Sequence, residues 1–396
     1  MKILFITSRI PYPPFRGDKV RTFGILKELK RHGHSVTLLS FVASASEELY
    51  RKELSEYCDD IVLVRLPFLR SLWNCLVGIF SSEPFQVSYY RSKAMHAAVA
   101  NLLRQQRFDL IHVHLIRMVQ FVESISGPNV VVDLTDAGSL YLQRFLEFER
   151  SVVKRLLLSM EYRRLVRYET RITRVSMNVV CSEKDRDVLK RSAPDAAITI
   201  VRNGIDITAD RPGFEYHEGN KRIIFTGNLT YFPNIDAVQY FAKEIFPLVM
   251  QQVPEAQLYI VGQNPPKTIR QLASANIIVT GFVPDIIAEY LKSAVAVAPM
   301  RFGAGSQYKI LEALSCGLPV VMTPIAAEGL HRVRGDEFIV ARTPQEFASA
   351  ILSVFSDGVL CRKLSAESQA LIRKEFSMEM IGSHLHELYV KVANSP

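Results

Sequence analysis

The stretch GAGSQYKILEALSCGLPVV, residues 303–321, reads as a glycine-rich turn, a short helix and a buried strand. Gly303 and Gly305 let backbone N–H groups approach a ligand, and the N-terminus of the following helix favours negative charge. Lys309 and Glu312 stand one turn apart and so share a helix face. The lysine adds a full positive charge that suits a diphosphate. The ionised glutamate, which only accepts hydrogen bonds, suits a sugar diol. A solvated ion pair on a surface helix is the plain alternative. Against it stand the apolar or small neighbours Ile310, Leu311, Ala313 and Leu314, which predict burial. The strand-like VAVAPM also precedes the loop, and ligands of open α/β sheets sit at the carboxyl ends of strands.

Working outward, strand and helix signals alternate along the whole chain, which predicts an α/β protein with parallel sheets. KILFITS, HSVTLLSF, residues 60–65, DLIHVHL, NVVVDLT, VSMNVVCS and ITIVRNGID read as strands of one sheet. The alternation restarts at KRIIFTGNL and continues through QLYIVG, NIIVTGF, VAVAPM, LPVVMT and EFIVA. Between the halves, ITADRPGFEYHEGNK is polar and broken by Gly and Pro, which places a linker near 207–220. The expected domains are 1–206 and 207–376, followed by a helix over 377–396 that packs back near the first domain. That helix carries Ile381, Leu385, Leu388 and Val392 at helical spacing. Two such doubly wound domains facing each other would leave a central cleft at their strand ends.

With 396 residues, 48% of them apolar, the chain can build two substantial cores. Five scattered cysteines with no CxxC argue for a reducing compartment and against structural zinc. No run reaches the length of a spanning helix, and the apolar start is too short for a signal peptide. A cytoplasmic protein is expected, placed at the inner face of the cell membrane if it meets one. The net charge of +8 is concentrated in the first half, the remainder being slightly acidic. Such a half attracts anionic substrates or an anionic membrane surface. Nucleic acid is not expected as a partner, because the basic residues form no aromatic-interleaved recognition motif.

Taken in order, the loop around GD and Arg21, DLIHVH, IVRNGID, the GNL turn, LYIVG and KILEALSCGLPVV resemble the retaining family 4 glycosyltransferases of the GT-B fold. The GxGxxxK variant is similar to a branch that builds bacterial exopolysaccharides and other cell-surface glycans. The resemblance implies transfer of a sugar from a nucleotide-diphosphate donor to a glycan or lipid-linked acceptor, with no metal or other cofactor. It implies that the first domain binds acceptor and the second the nucleotide sugar. On the donor it places Gly17, Gly227, Asn228, Gly303, Gly305, Ser306, Lys309 and Glu312. Glu312 matches the second glutamate of the E-x7-E motif, which holds the ribose. His114 matches the histidine near the transferring sugar, so His114, Lys309 and Asp136 form the expected catalytic set. Two departures stand out: Ala304 replaces the first glutamate, and the GNL turn lacks the family's Arg and Lys. Lys309 is expected to substitute for one cation and Arg9, Arg16 or Arg202 for another.

Several residues keep two readings. His112 and His114 alternate on one strand and so share a face. A metal site there is disfavoured, since no neighbouring carboxylate or cysteine in the sequence completes a ligand set. His112 reads as a core histidine and Asp133 as structural. Asp136 either serves an acceptor hydroxyl or caps the helix after it. Residues 144–174 and 66–90 mix leucines and aromatics with basic residues, which fits either a membrane-surface face or solvated helices packed on the domain. The rivals to a transferase are a GT-B sugar epimerase and a non-catalytic nucleotide-sugar or membrane-binding module. A Rossmann oxidoreductase is disfavoured, because GxGxxG is missing after the first strand.

Overall fold

The apolar runs form two parallel sheets in the computed structural model, which describes residues 1–125, 129–174, 176–207, 213–303, 307–330 and 336–394. The chain divides into two compact units, Met1–Arg202 with Met378–Pro396, and Asn203–Ser377. The division falls just before the polar stretch in which the sequence places the linker.

The first unit holds β1 (Lys2–Thr7), β2 (Ser35–Val42), β3 (Asp60–Arg65), β4 (Leu110–His114), β5 (Asn129–Thr135), β6 (Met177–Val180) and β7 (Ile198–Ile200). Their order is β3-β2-β1-β4-β5-β6-β7, with every pairing parallel. Strands covered on both faces need continuous apolar runs, and β1 and β4 are buried along nearly their whole length. The C-terminal helix Met378–Ala393 contributes Met378, Ile381, Leu385, Leu388, Tyr389 and Val392 to this unit's core.

The second unit holds β8 (Arg222–Thr226), β9 (Gln257–Val261), β10 (Ile277–Gly281), β11 (Val295–Ala298), β12 (Val320–Met322) and β13 (Ile339–Val340), in the order β10-β9-β8-β11-β12-β13. All of its pairings are parallel too. Helix Tyr308–Ser315 packs its apolar face into this core. It ends in a full Schellman motif: the N–H groups of Gly317 and Leu318 donate to Leu314 and Ala313 at 3.0 and 3.1 Å. Gly317 takes φ +74° there, the left-handed conformation that favours glycine.

Strand order reverses between β1 and β4 in the first unit and between β8 and β11 in the second. These switch points are where doubly wound sheets bind ligands. In the second unit the turns after β8 and β9 touch closely. A Cβ on Gly262 would lie 2.0 Å from the carbonyl oxygen of Gly227, against backbone that cannot swing aside. Gly262→Ala is therefore expected to destabilise this unit by roughly 1–3 kcal/mol or more, read as a lower denaturation midpoint. An unchanged midpoint would mean that the two turns separate freely.

Candidate active site

In the first unit the register of β4 against β5 sets His114 beside Asp133. Asp133 is fully buried and faces Arg21, itself 2% exposed, from helix Gly17–Arg31. Arg21 donates from Nε to Asp133 Oδ2 at 2.7 Å and from Nη2 to Oδ1 at 3.1 Å. It also donates to the carbonyls of Val201 and Arg202 at 3.0 and 3.1 Å. Burial alone would raise the Asp133 pKa. Arg21, with the two histidines, overcomes that and holds the carboxyl well below the usual range.

Both histidines look at this carboxylate. His114 Nδ1 lies 3.4 Å and His112 Nε2 3.8 Å from Asp133 Oδ2. The sequence expectation that no carboxylate stands near the pair is thus corrected: the neighbouring strand brings one that linear spacing did not show. His112, His114 and Asp133 would satisfy the distance needs of a cation site. Arg21 already occupies both carboxylate oxygens and supplies the positive charge, so the group is a neutralised ion-pair cluster. His112 is a core histidine, stacked on Phe5 with ring centroids 4.3 Å apart. Burial pushes it down to about 3, so the ring is neutral. Its Nδ1 is 2.6 Å from the hydroxyl of Tyr389. With the anionic Asp133 facing Nε2, the proton belongs on Nε2, and Tyr389 donates to Nδ1. Tyr389, from the C-terminal helix, thus bonds one side of His112, while Asp133 faces both His112 and the expected catalytic histidine, His114.

The backbone is strained on both sides of this cluster. Leu115, directly after His114, takes φ 73° and ψ 141°. Thr135, directly before Asp136, takes φ 66°, and the N–H of Asp136 donates to Leu134 at 2.8 Å across it. That is the rare γ-turn with a positive central φ. Such conformations cost about 1–3 kcal/mol each and concentrate at functional sites.

Asp136 does not cap the following helix, which corrects one of its two sequence readings. The N-cap of helix Gly138–Phe148 is Ala137 and has no side-chain cap. Its orphan N–H groups go to carboxylates from elsewhere: Ala137 donates to Asp185 Oδ1 at 2.9 Å and Ser139 to Glu169 Oε1 at 3.1 Å. Desolvation raises the Asp136 pKa, with the Asp185 charge adding to it, and Asp136 Oδ1 has no hydrogen-bond partner. Burial likewise pushes Glu169 up to about 7.

Gly17 is the first residue of helix Gly17–Arg31, so the expected approach loop is a helix N-terminus. Arg9 is bound to Asp18 at 2.7 Å, and Arg16 lies 3.6 Å from the same carboxylate. The Arg202 side chain is paired with Glu183 at 2.8 Å.

In the second unit Lys309 is half-buried over the ring of Phe225, 4.8 Å from its centroid. Its Nζ donates to Asn234 Oδ1 at 2.6 Å, and Asn234 Nδ2 donates to the carbonyl of Asn228 at 2.9 Å. Asn234 therefore ties the GNL turn to the lysine. Gly227, Asn228, Lys309 and Asn234 come together at the ends of β8 and β11. Glu312 lies one turn on, accepting from the hydroxyl of Tyr290 at 3.3 Å. Desolvation pushes Lys309 down to about 7, opposed in part by Glu312. Gly303 stands at the start of the glycine loop with φ 148°. Gly305 and Ser306, with Ala304, lie outside the described residues. Sequence reasoning missed Arg301, just past β11, whose Nε donates to Asp236 at 2.9 Å while its guanidinium covers Tyr240 at 4.8 Å. Its position two residues before Gly303 was the available signal.

Comparisons with known proteins bear on the family and the fold. Residues 17–209 match the family model described as Glycosyltransferase Family 4, and residues 220–357 match the one described as Glycosyl transferases group 1. A Klebsiella pneumoniae relative, "Uncharacterized 44.6 kDa protein in cps region", is 20% identical, over 97% of this chain and 98% of its own length. Sucrose-phosphate synthase from Thermosynechococcus elongatus shares the fold with a TM-score of 0.72, at 13% identity over 99% of both chains. Anabaena Alr3699/HepE, solved in complex with UDP and glucose, gives a TM-score of 0.66 at 15% identity, over 98% of this chain and 99% of its own. The chain belongs to the family 4 glycosyltransferases, retaining enzymes of the GT-B fold that use nucleotide-sugar donors.

Two measurements check the buried clusters. Arg21→Met leaves the Asp133 charge dry and uncompensated, and is expected to cost about 3–5 kcal/mol in chemical denaturation, while a cost under about 1 kcal/mol would show that water reaches Asp133. Glu169 carries a folded pKa above its unfolded one, so its contribution is fully present below about pH 4.3 and is lost as pH rises through about 7. The stability of wild type relative to Glu169→Gln should therefore fall between those values, and a flat difference would refute the raised pKa.

Proposed function

We propose that this enzyme moves a sugar from a nucleoside-diphosphate donor held by the second unit to a glycan or lipid-linked acceptor held by the first, in the synthesis of a cell-surface polysaccharide. The observation that carries the reading is the Asn228–Asn234–Lys309 chain at the β8/β11 switch point, with Glu312 one turn away. Lys309 offers a cation that suits a diphosphate, and Glu312 an acceptor-only carboxylate that suits a ribose diol. Lys309 and Arg301 stabilise the charge that develops on the departing diphosphate, the dominant contribution in chemistry of this kind. Retention requires attack from the leaving group's own face, so the departing phosphate itself takes the acceptor proton. His114 attends the transferring sugar and Asp136 receives the acceptor hydroxyl. The Klebsiella relative in a cps region supports polysaccharide synthesis, and the Anabaena relative's UDP and glucose support a uridine-diphosphate sugar.

The first unit also carries the face that suits a membrane-borne acceptor. Helix Phe68–Gly78 and the residue run after it expose Leu69 (77%), Trp73 (65%) and Phe80 (94%). Val152 and Leu156 on helix Val152–Thr173 are similarly exposed. Arg164 joins the two segments, donating to the carbonyls of Gly78 and Ile79 at 3.3 and 2.6 Å. With Arg70, Lys154 and Arg155 among them, these apolar side chains favour an anionic bilayer surface, at the cytoplasmic leaflet. No helix among the described residues is long and apolar enough to cross a membrane.

Glu312→Ala should weaken nucleoside-diphosphate binding by roughly one to two orders of magnitude, the worth of a charge-assisted hydrogen-bond pair. Unchanged affinity by calorimetry would sink the ribose assignment. The Lys309 pKa near 7 makes a second expectation. Binding to the free protein should weaken as pH rises from about 7 to about 9, since the lysine loses the proton that attracts the diphosphate. Lys309→Arg, always charged, should bind without that dependence. A wild-type affinity constant over this window would remove Lys309 from the diphosphate.

A further inference from the structure

Arg117 sits three residues beyond His114, held there by the strained turn at Leu115 and the short 3-10 helix Ile116–Phe121. Its guanidinium lies over the ring of Tyr90, 5.3 Å from the centroid. Its Nε is buried without a hydrogen-bond partner, and no carboxylate among the described residues pairs with it. Asp18, whose charge acts on Arg117, is already engaged by Arg9 and Arg16. Arg9 and Asp18 are close enough for their charges to act on Arg117, and burial disfavours the Arg117 cation. Lys19 adds to the excess: four cations share Asp18 and Glu47. A half-dry guanidinium without a counter-ion is costly, and its planar fork is built for an oxyanion. Nothing in the proposed chemistry uses it.

The neighbouring helix Phe85–Tyr89 says which oxyanion fits. Tyr90 closes that helix and carries Arg117. On the other side Gly78, the last residue of the exposed apolar helix, packs so tightly on Ser88 that a Cβ would come within 2.8 Å of its hydroxyl. An anion at Arg117 is thus one short helix away from an apolar surface, as a phosphate ester would be that joins a sugar to a lipid.

We propose that Arg117, supported by Arg9, binds a phosphate ester carried by the acceptor, so that the sugar-accepting substrate is anionic next to the hydroxyl that is glycosylated. This rests on the reading of the first unit as the acceptor domain. The donor's diphosphate has its own cations, Lys309 and Arg301, in the second unit.

The test follows the Arg117 Nε–H signal by nitrogen-15 NMR of the full chain, assigned by its loss in Arg117→Lys. Glycerol 1-phosphate is titrated with and without saturating UDP or GDP, and vesicles containing phosphatidic acid are tested by flotation. The signal should move with glycerol 1-phosphate and still move with the nucleotide bound. Affinity should drop roughly tenfold or more in Arg117→Met and less in Arg117→Lys. If Arg117→Met does not fold, the wild-type signal and Arg117→Lys decide. Vesicle binding weakened by Arg117→Lys would identify a lipid phosphate as the source, and a response to the soluble phosphate alone a glycan phosphate; both support the proposal. An unmoved signal together with vesicle binding indifferent to Arg117→Lys would overturn it. So would competition by UDP or GDP, which would assign the arginine to the donor diphosphate. Failure of the wild type to bind any nucleoside diphosphate would instead defeat the transferase reading, independently of the arginine signal.

Discussion

The first unit is organised around one buried ion pair, Arg21 with Asp133. Neither group reaches water, so each would be ruinous alone. Together, with both carboxylate oxygens and two backbone carbonyls satisfied, they become tolerable. The geometry has structural reach. Arg21 lies on the helix that follows β1, Asp133 on β5, and the carbonyls of Val201 and Arg202 follow β7, so a single guanidinium ties together three parts of the sheet. Buried ion pairs of this kind are often replaced by apolar residues of equal volume with no loss of stability. What the pair supplies is a carboxylate kept ionised by Arg21 and held in one position facing two histidines.

That fixed charge explains why the two histidines differ although they share a strand and a face. His112 is held by the Tyr389 hydroxyl at Nδ1 and by its stack on Phe5, with Asp133 facing Nε2 at 3.8 Å, and burial keeps it neutral. His114 sits at the end of β4, faces Asp133 at 3.4 Å and lies near enough to Asp18 for their charges to interact, and among the described residues neither ring nitrogen has a hydrogen-bond partner. The C-terminal helix therefore reaches this cluster as well as the core, because Tyr389 bonds to His112 Nδ1 and leaves the N–H on the nitrogen that faces Asp133.

Much of this was legible in the sequence where the signal is local. The strands are continuous apolar runs, the helix after the glycine loop ends at its Gly317, and Lys309 and Glu312 share a face because helical periodicity requires it. Contacts between distant segments were not legible. Asp133 reads as a structural strand residue until the register of β4 and β5 puts it against His114. Asn234 reads as part of a degraded motif until it proves to join Asn228 to Lys309. Arg301 looks like an ordinary loop cation until Asp236 orients it. In each case the missing information was which side chains meet in space, across neighbouring strands for Asp133 and between a helix and the loops beside it for Asn234 and Arg301, and no linear spacing encodes that. Asp136 failed as a cap for a related reason: Asp185 and Glu169, from two later helices, reach the N–H groups first.

The second unit meets the same electrostatic demand by the opposite route. Where the first buries a full charge and neutralises it, the second places a lysine over an aromatic ring with an amide as its closest partner. Desolvation makes its charge conditional. A lysine poised near neutrality is a poor permanent ion-pair partner and a good one for a ligand that arrives with its own negative charge, since the incoming anion restores the proton that burial disfavours. This gives a physical account of how the chain manages without the family's usual Arg and Lys after the GNL turn. On the proposed reading, one cation, made anion-hungry by its surroundings and held by Asn234, does part of the work of two exposed ones. Arg301, fixed by Asp236 just before the glycine loop, is the second cation on that reading.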